Sequence, residues 1–168
     1  MQAEVSNNFE ASEAVEQRQY CSFWLANRLF GVDILHVKEI NRVLEFTTIF
    51  HAPKEVKGYV NIRGQIHLVL DLRLLLGFEA SAISDQSSVL IFKTQIAEPF
   101  GVLVDKIGDV VGVSVDEVET RSMFDDSSSG ETDSLSDVGV NLVEGVCKLE
   151  NDIMVVLDAY KFISAVKF

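Results

Sequence analysis

One stretch of this chain is written twice. Val56-Lys57-Gly58 leads to Leu68-Val69-Leu70-Asp71, and Val143-Glu144-Gly145 leads to Val155-Val156-Leu157-Asp158. In both copies the glycine and the aspartate stand 13 residues apart. An upstream motif recurs as well, Phe30-Gly31-Val32 returning as Phe100-Gly101-Val102. The upstream offset is 70 and the downstream offset 87, so the second copy has gained 17 residues. A duplicated unit of this size predicts two small, similar structural units packed together.

The strand pattern says what the units are. From Tyr20 onward, short runs of Val, Ile, Leu and Phe are broken by turn residues, the mark of many short strands. Tyr20–Leu25, a turn at Ala26-Asn27-Arg28 and Leu29–Ile34 predict a hairpin, as do Val89–Thr94, a turn around Ala97-Glu98-Pro99 and Phe100–Val104. Asp71 and Asp158 each precede a short apolar segment, where a carboxylate can accept the first free N–H groups of a helix. Gly77 suits the helix stop. The class expected is all-β with short helices, a tandem of small barrels. The first barrel would span about residues 20–82 and the second 88–168, with strand exchange between them left open.

The surplus residues have an evident home. Ser122–Asp137 holds six serines and five acids, a stretch that cannot bury enough apolar surface to offset its ordering entropy. It is expected to be an acidic, serine-rich insertion. Residues 1–18 carry Glu4, Glu10, Glu13 and Glu16 with few apolar anchors and read as a disordered acidic tail ahead of a structured region over 19–168.

Charge excludes some partners. A net charge of −12 disfavours nucleic acid, whose binding displaces counterions with basic side chains, and an anionic membrane surface equally. The amino-terminal residues lack the apolar core of a signal peptide, and no apolar run approaches the ~18 residues of a membrane helix. The expected location is the cytoplasm, and the expected partners are proteins or small molecules. Cys21 and Cys147 lie in separate apolar runs and fit no zinc or redox spacing; buried free thiols are the favoured reading, with a disulfide left open.

A search for catalytic chemistry finds little. There is no phosphate-binding glycine loop and no His-Glu-x-x-His, and His36, His51 and His67 have no ligand spacing. Gly112-Val113-Ser114-Val115-Asp116 starts like a nucleophile elbow but lacks the closing glycine. Asp125-x-Ser127-x-Ser129-Gly130 starts like a calcium loop, yet Ser136 stands where a bidentate carboxylate is needed. No catalytic residue, metal or cofactor is assigned.

The most specific stretch is Lys57-Gly58-Tyr59-Val60-Asn61-Ile62-Arg63-Gly64, running on through Gln65–Leu70. It predicts a β-hairpin with Arg63-Gly64 at its turn, preceded by a short helix over Pro53–Lys57. Upstream, Gly31–Ile40 fits a single turn near Ile34–His36 followed by a strand, although Ile34, Val37 and Ile40 also have helical spacing.

Three runs together resemble the CheW family: Gly-Val-Asp-Ile-Leu-x-Val-x-Glu-Ile over Gly31–Ile40, Ala-Pro-x-x-Val-Lys-Gly-x-x-Asn-Ile-Arg-Gly over Ala52–Gly64, and Leu-Asp-Leu-Arg over Leu70–Arg73. The resemblance covers about Tyr20 to Val166. His67, where the family often has proline, and Asn41-Arg42, where Arg-Gly is commoner, depart from it. It implies two SH3-like, five-stranded β-barrels around a shared core. The implied function is that of a non-enzymatic adaptor in chemotaxis. Its partners would be the cytoplasmic tip of a chemoreceptor and the regulatory domain of the histidine kinase CheA, within membrane-bound receptor arrays. An adaptor for pilus-driven motility or another chemosensory pathway is the alternative, and a small ligand-binding or enzymatic β-barrel is the alternative of a different class.

The resemblance also implies contact residues. Glu39 and Arg63 match a charged pair of the family, which either shapes a partner-facing surface, pins two strands together, or does both. Val37 and Ile40, with Val102 and Val104 from the second barrel, are candidates for a groove receiving a receptor helix, an ordinary core position being the favoured alternative for any one of them. Gly58, Asn61 and Gly64 are carried over from the family motif as kinase-side or surface-shaping positions. Trp24 is assigned to the core.

Overall fold

The structure is a computed structural model that describes residues 16–42, 45–120 and 135–168. Most of the acidic tail, and all of the acidic insertion except its last three residues, lie outside the described residues. Eleven strands are described: β1 Gln17–Leu25, β2 Arg28–Asp33, β3 Val37–Arg42, β4 Val56–Ile62, β5 Gln65–Asp71, β6 Ser88–Phe92, β7 Phe100–Val104, β8 Lys106–Ser114, β9 Val118–Thr120, β10 Val143–Lys148 and β11 Ile153–Leu157.

They form two sheets, one to each SH3-like barrel, and the sheets do not divide the chain where the repeat does. One has the order β8-β1-β2-β11-β10-β9, the other β3-β6-β7-β5-β4. The division of the chain near residues 82–88 is therefore not where the sheets part; the first sheet joins the beginning of the chain to its end, and carries six strands. Each sheet unites a Phe-Gly-Val hairpin from one repeat with a Gly-to-Asp hairpin from the other. The join is a parallel pairing in both cases, Phe30 opposite Val155 in one and Val102 opposite Leu70 in the other.

Strand alternation sorts the apolar side chains into three cores. On β11, Met154 and Val156 face a core with Tyr20, Leu29 and Cys147, whereas Val155 and Leu157 face the large shared core. On β6, Leu90 and Phe92 face that shared core, whereas Val89 and Ile91 meet Val60, Ile62, Val69 and Leu103 in the third. Each barrel thus has its own interior, and the large core lies between them. Phe92 stacks on Phe100 at 4.9 Å between ring centres and meets Phe162 edge-on at 5.7 Å. Cys21 and Cys147 are buried free thiols.

The expected caps are present. Asp71 accepts hydrogen bonds from the N–H groups of Arg73 and Leu74 and opens the helix Leu72–Leu76, which Gly77 closes at φ +96°. Asp158 accepts from Tyr160 N–H, but the segment after it winds as short 3-10 turns. Arg73 binds the carboxylate of Asp105, which also accepts from Ala26 N–H at 3.0 Å, so this helix is tied to the β1–β2 turn in the other sheet.

Two expectations need correction. No helix forms over Pro53–Lys57: Val56 N–H closes one turn onto Pro53 C=O, and Val56 then pairs with Leu70 in β4. Sheet pairing of a β-branched residue outweighs one isolated helical turn. The insertion, placed over Ser122–Asp137, ends sooner. Leu135 is buried in the shared core, Ser136 N–H donates to Leu76 C=O, and Ser136 Oγ caps the helix Asp137–Asn141.

Candidate functional site

The motif hairpin and the strand that faces it build one surface. Asp33 accepts from Leu35 N–H at 2.9 Å and starts the 3-10 turn Ile34–His36, after which β3 runs with alternating exposure. The turn-then-strand reading of this segment is thus what the chain adopts. Val37, Glu39 and Asn41 are half-buried, while Lys38, Ile40 and Arg42 are exposed.

The β4–β5 hairpin closes in two residues. Ile62 pairs with Gln65, and the intervening Arg63 and Gly64 have φ of +50° and +84°. Positive φ at both central positions is the turn that matches strand twist, and Asn61 Oδ1 reinforces it by accepting from Gly64 N–H at 2.9 Å. An arginine in the left-handed region carries a cost of about 1–2 kcal/mol, which glycine or asparagine would largely avoid. The side chain that bears this cost reaches Glu39.

β3 and β4 are the two ends of their sheet, and the Arg63–Glu39 ion pair bridges them. Glu39 also accepts from the Asn41 side-chain amide at 2.9 Å. These bonds, the Asn41 amide foremost and the Arg63 guanidinium after it, hold the Glu39 carboxyl below the ordinary carboxylate range against the opposing effect of desolvation. Arg63 itself is 73 % exposed and Glu39 19 % exposed at the side chain, so the pair presents a fixed cation on a seated carboxylate.

Beside it lies an apolar face. Asn61 is opposite Ile66 and Tyr59 opposite Leu68, and directly opposed residues share one side of a sheet. Tyr59 is 44 % exposed and Ile66 53 %, while Val60 and Ile62 on the other side are buried. Ile66 and His67 invert the usual order, since the isoleucine is exposed and the histidine is buried with Nδ1 3.1 Å from Gln65 C=O. The two-residue turn sets Ile66 opposite Asn61 and His67 opposite Val60, and that register is the signal by which the face could have been found in the sequence. Leu35 and Phe50, both strongly exposed on loops flanking the same strands, carried no periodic signal.

The remaining candidates fall elsewhere. Gly58 is buried with φ +142°, and an added Cβ would lie 2.4 Å from Thr47 C=O, so its bare backbone allows the pairing of Tyr59 with Thr47. Val102 and Val104 are buried in the shared core because β7 is an interior strand covered on both faces; they cannot line a surface groove with Val37 and Ile40. Trp24 is half-buried at the edge of the first barrel's interior. Among the described residues no group of three or more His, Cys, Asp or Glu is arranged to hold a metal ion.

A family model described as the CheW-like domain matches residues 19–167. The chain belongs to the CheW family. It is similar to the chemotaxis protein CheW of Klebsiella aerogenes, with 32 % identity over 68 % of this chain and 68 % of that protein. It is also similar to the chemotaxis protein CheW of Treponema pallidum, at 26 % identity over 89 % and 84 % of the two chains. The crystal structure of the scaffolding protein TtCheW from Thermoanaerobacter tengcongensis superposes with a TM-score of 0.72 over 85 % of this chain and 90 % of that one, at 23 % identity, and so shares the fold. CheW-family membership places the chain among chemotaxis adaptors, and the motif hairpin that carries the resemblance is the hairpin that carries the exposed face.

Proposed function

We propose that this CheW-family protein joins chemoreceptors to a histidine kinase, binding the receptor's cytoplasmic tip and the regulatory domain of CheA as a non-enzymatic scaffold. The observation that carries this reading is the exposed face of the β4–β5 hairpin. Tyr59 and Ile66 lie beside Asn61 and the Arg63–Glu39 pair, an apolar centre with a polar rim of the kind that docks another protein. Ile40 on β3, 42 % exposed, continues the apolar character across the bridged edges. Gly64, at the turn, belongs to the same rim, whereas the half-buried Val37 packs against the shared core beneath β3.

Attachment to membrane-bound arrays would come through the receptor; no helix among the described residues is long and apolar enough to cross a membrane. The decisive experiment is calorimetric titration with purified CheA regulatory domain and with a receptor cytoplasmic fragment, singly and together. Binding to each, and a ternary complex when all are mixed, is the expected result. A folded protein that binds neither would overturn the proposal.

A further inference from the structure

A second groove lies at the other end of β4 from the Arg63-Gly64 turn. Two adjoining depressions of about 530 and 330 Å³ share Val138, Ala165 and Lys167 in their walls. Their apolar side is made by Val138, Ala165 and Leu74, the last two half-buried; Val138 is 41 % exposed in spite of being aliphatic. Around it stand Lys54, Lys161 and Lys167, with Glu55 the one acid in the walls. The three ion pairs among the described residues involve none of these lysines. Lys161 Nζ donates to the Asn141 carbonyl at 3.3 Å, which holds its charge at the mouth of the groove without neutralising it.

This runs against the composition. The chain has 14 basic and 26 acidic residues, so three lysines gathered around an aliphatic depression are a local reversal of its field. Screening confines charge effects to roughly 8 Å at physiological salt, so a ligand seated here experiences chiefly the three wall lysines, set against Glu55 in the wall and Asp137 between the wall residues Ser136 and Val138. A polynucleotide would extend beyond that range into the net negative field and would have no use for the aliphatic wall. A basic segment would meet like charge.

We propose that this groove binds an acidic amphipathic segment of a partner protein, with carboxylates on Lys54, Lys161 and Lys167 and aliphatic side chains against Val138, Leu74 and Ala165. The site is separate from the hairpin face and does not depend on the identity of the partner bound there. An amphipathic helix supplies the required pattern, apolar residues on one side and carboxylates flanking them.

The test uses the whole protein and two fluorescently labelled helical peptides with one apolar pattern, their polar faces carrying either glutamate or lysine. The acidic peptide is expected to bind, more weakly as salt is raised, and the basic peptide to bind far less. The double variant Lys161→Glu/Lys167→Glu should weaken acidic-peptide binding by about tenfold or more. Val138→Glu should weaken it too, whereas Lys106→Glu, outside the groove, should leave it unchanged. Circular dichroism melts of each variant check that the fold is kept. Equal binding of the two peptides, no binding of either, or indifference to the groove substitutions would overturn the proposal. So would an acidic peptide that binds only after residues 122–134 are deleted, because the groove would then belong to the chain's own acidic segment.

Discussion

Arg63 holds Glu39 from a backbone conformation that disfavours arginine, and in doing so joins the first and last strands of a five-stranded sheet. The local cost of the turn and the ion pair are parts of one device. A glycine or asparagine would make the turn more cheaply, but neither would reach the carboxylate on β3.

Arg63→Glu is expected to leave the protein folded and to weaken partner binding. The pair is largely exposed at Arg63, and such pairs contribute about 0–1 kcal/mol to stability, so the melting temperature should move little. The charge-exchanged variant Glu39→Arg/Arg63→Glu should recover part of the lost affinity in a direct titration. Unchanged affinity in the single variant would show that the pair does no more than pin the strands.

The pH dependence of the pair follows from Glu39. Its folded pKa lies below the unfolded value, so its stabilising contribution is complete above the ordinary carboxylate range. That contribution is lost only as pH falls through the depressed folded value. The hairpin-to-β3 link should therefore be constant across neutral and mildly acidic pH. Because the Asn41 amide is the largest cause, Asn41→Ala should raise the Glu39 pKa toward its usual value, which carbon-detected NMR of the carboxyl can follow.

Ile66→Glu should abolish most binding at the hairpin face without unfolding the protein. Ile66 is more than half exposed, so little apolar burial is lost on folding, whereas truncating a central apolar anchor of an interface commonly costs about 2 kcal/mol or more of binding. Equal affinity for CheA regulatory domain and for receptor fragment before and after the change would place both contacts elsewhere.

Gly58→Ala is expected to act on stability and not on contact. Gly58 has φ +142°, and the added Cβ would sit 2.4 Å from a backbone oxygen that cannot move aside cheaply. A loss of about 1–3 kcal/mol in denaturant unfolding is expected. Binding measured where the variant is still folded should be near that of the unchanged protein.

Much of the architecture was legible because it is periodic. The repeated Gly-to-Asp spacing, the Phe-Gly-Val motifs and the aspartate caps all mark real elements. The assignment of strands to sheets was not legible, because Phe30 pairs with Val155 and Val102 with Leu70 across repeats, and no local pattern records which copy supplies a neighbour. Val102 and Val104 looked like surface candidates because alternation does not show when both faces of a strand are covered. Tyr59 and Ile66 went unnoticed for a simpler reason: in the motif hairpin the buried histidine reverses the hydrophobic code. The role of Arg73 in tying the two sheets through Asp105 depends on residues far apart in the chain and could only be seen in three dimensions.

The interleaving of the sheets also sets an order on biosynthesis. All strands of the β3–β7 sheet are present once the ribosome has released Val104, whereas β2 must wait for β11, the last strand of the chain. At about 5–20 residues per second, the 53 residues from Val104 to Leu157 take about 3–11 seconds. During it Phe23 and Phe30, both buried in the finished molecule, have no completed sheet to lie in. The newborn chain therefore carries a sticky leading hairpin behind an already closed middle barrel, and its vulnerability to chaperones, proteases and self-association is concentrated in that interval.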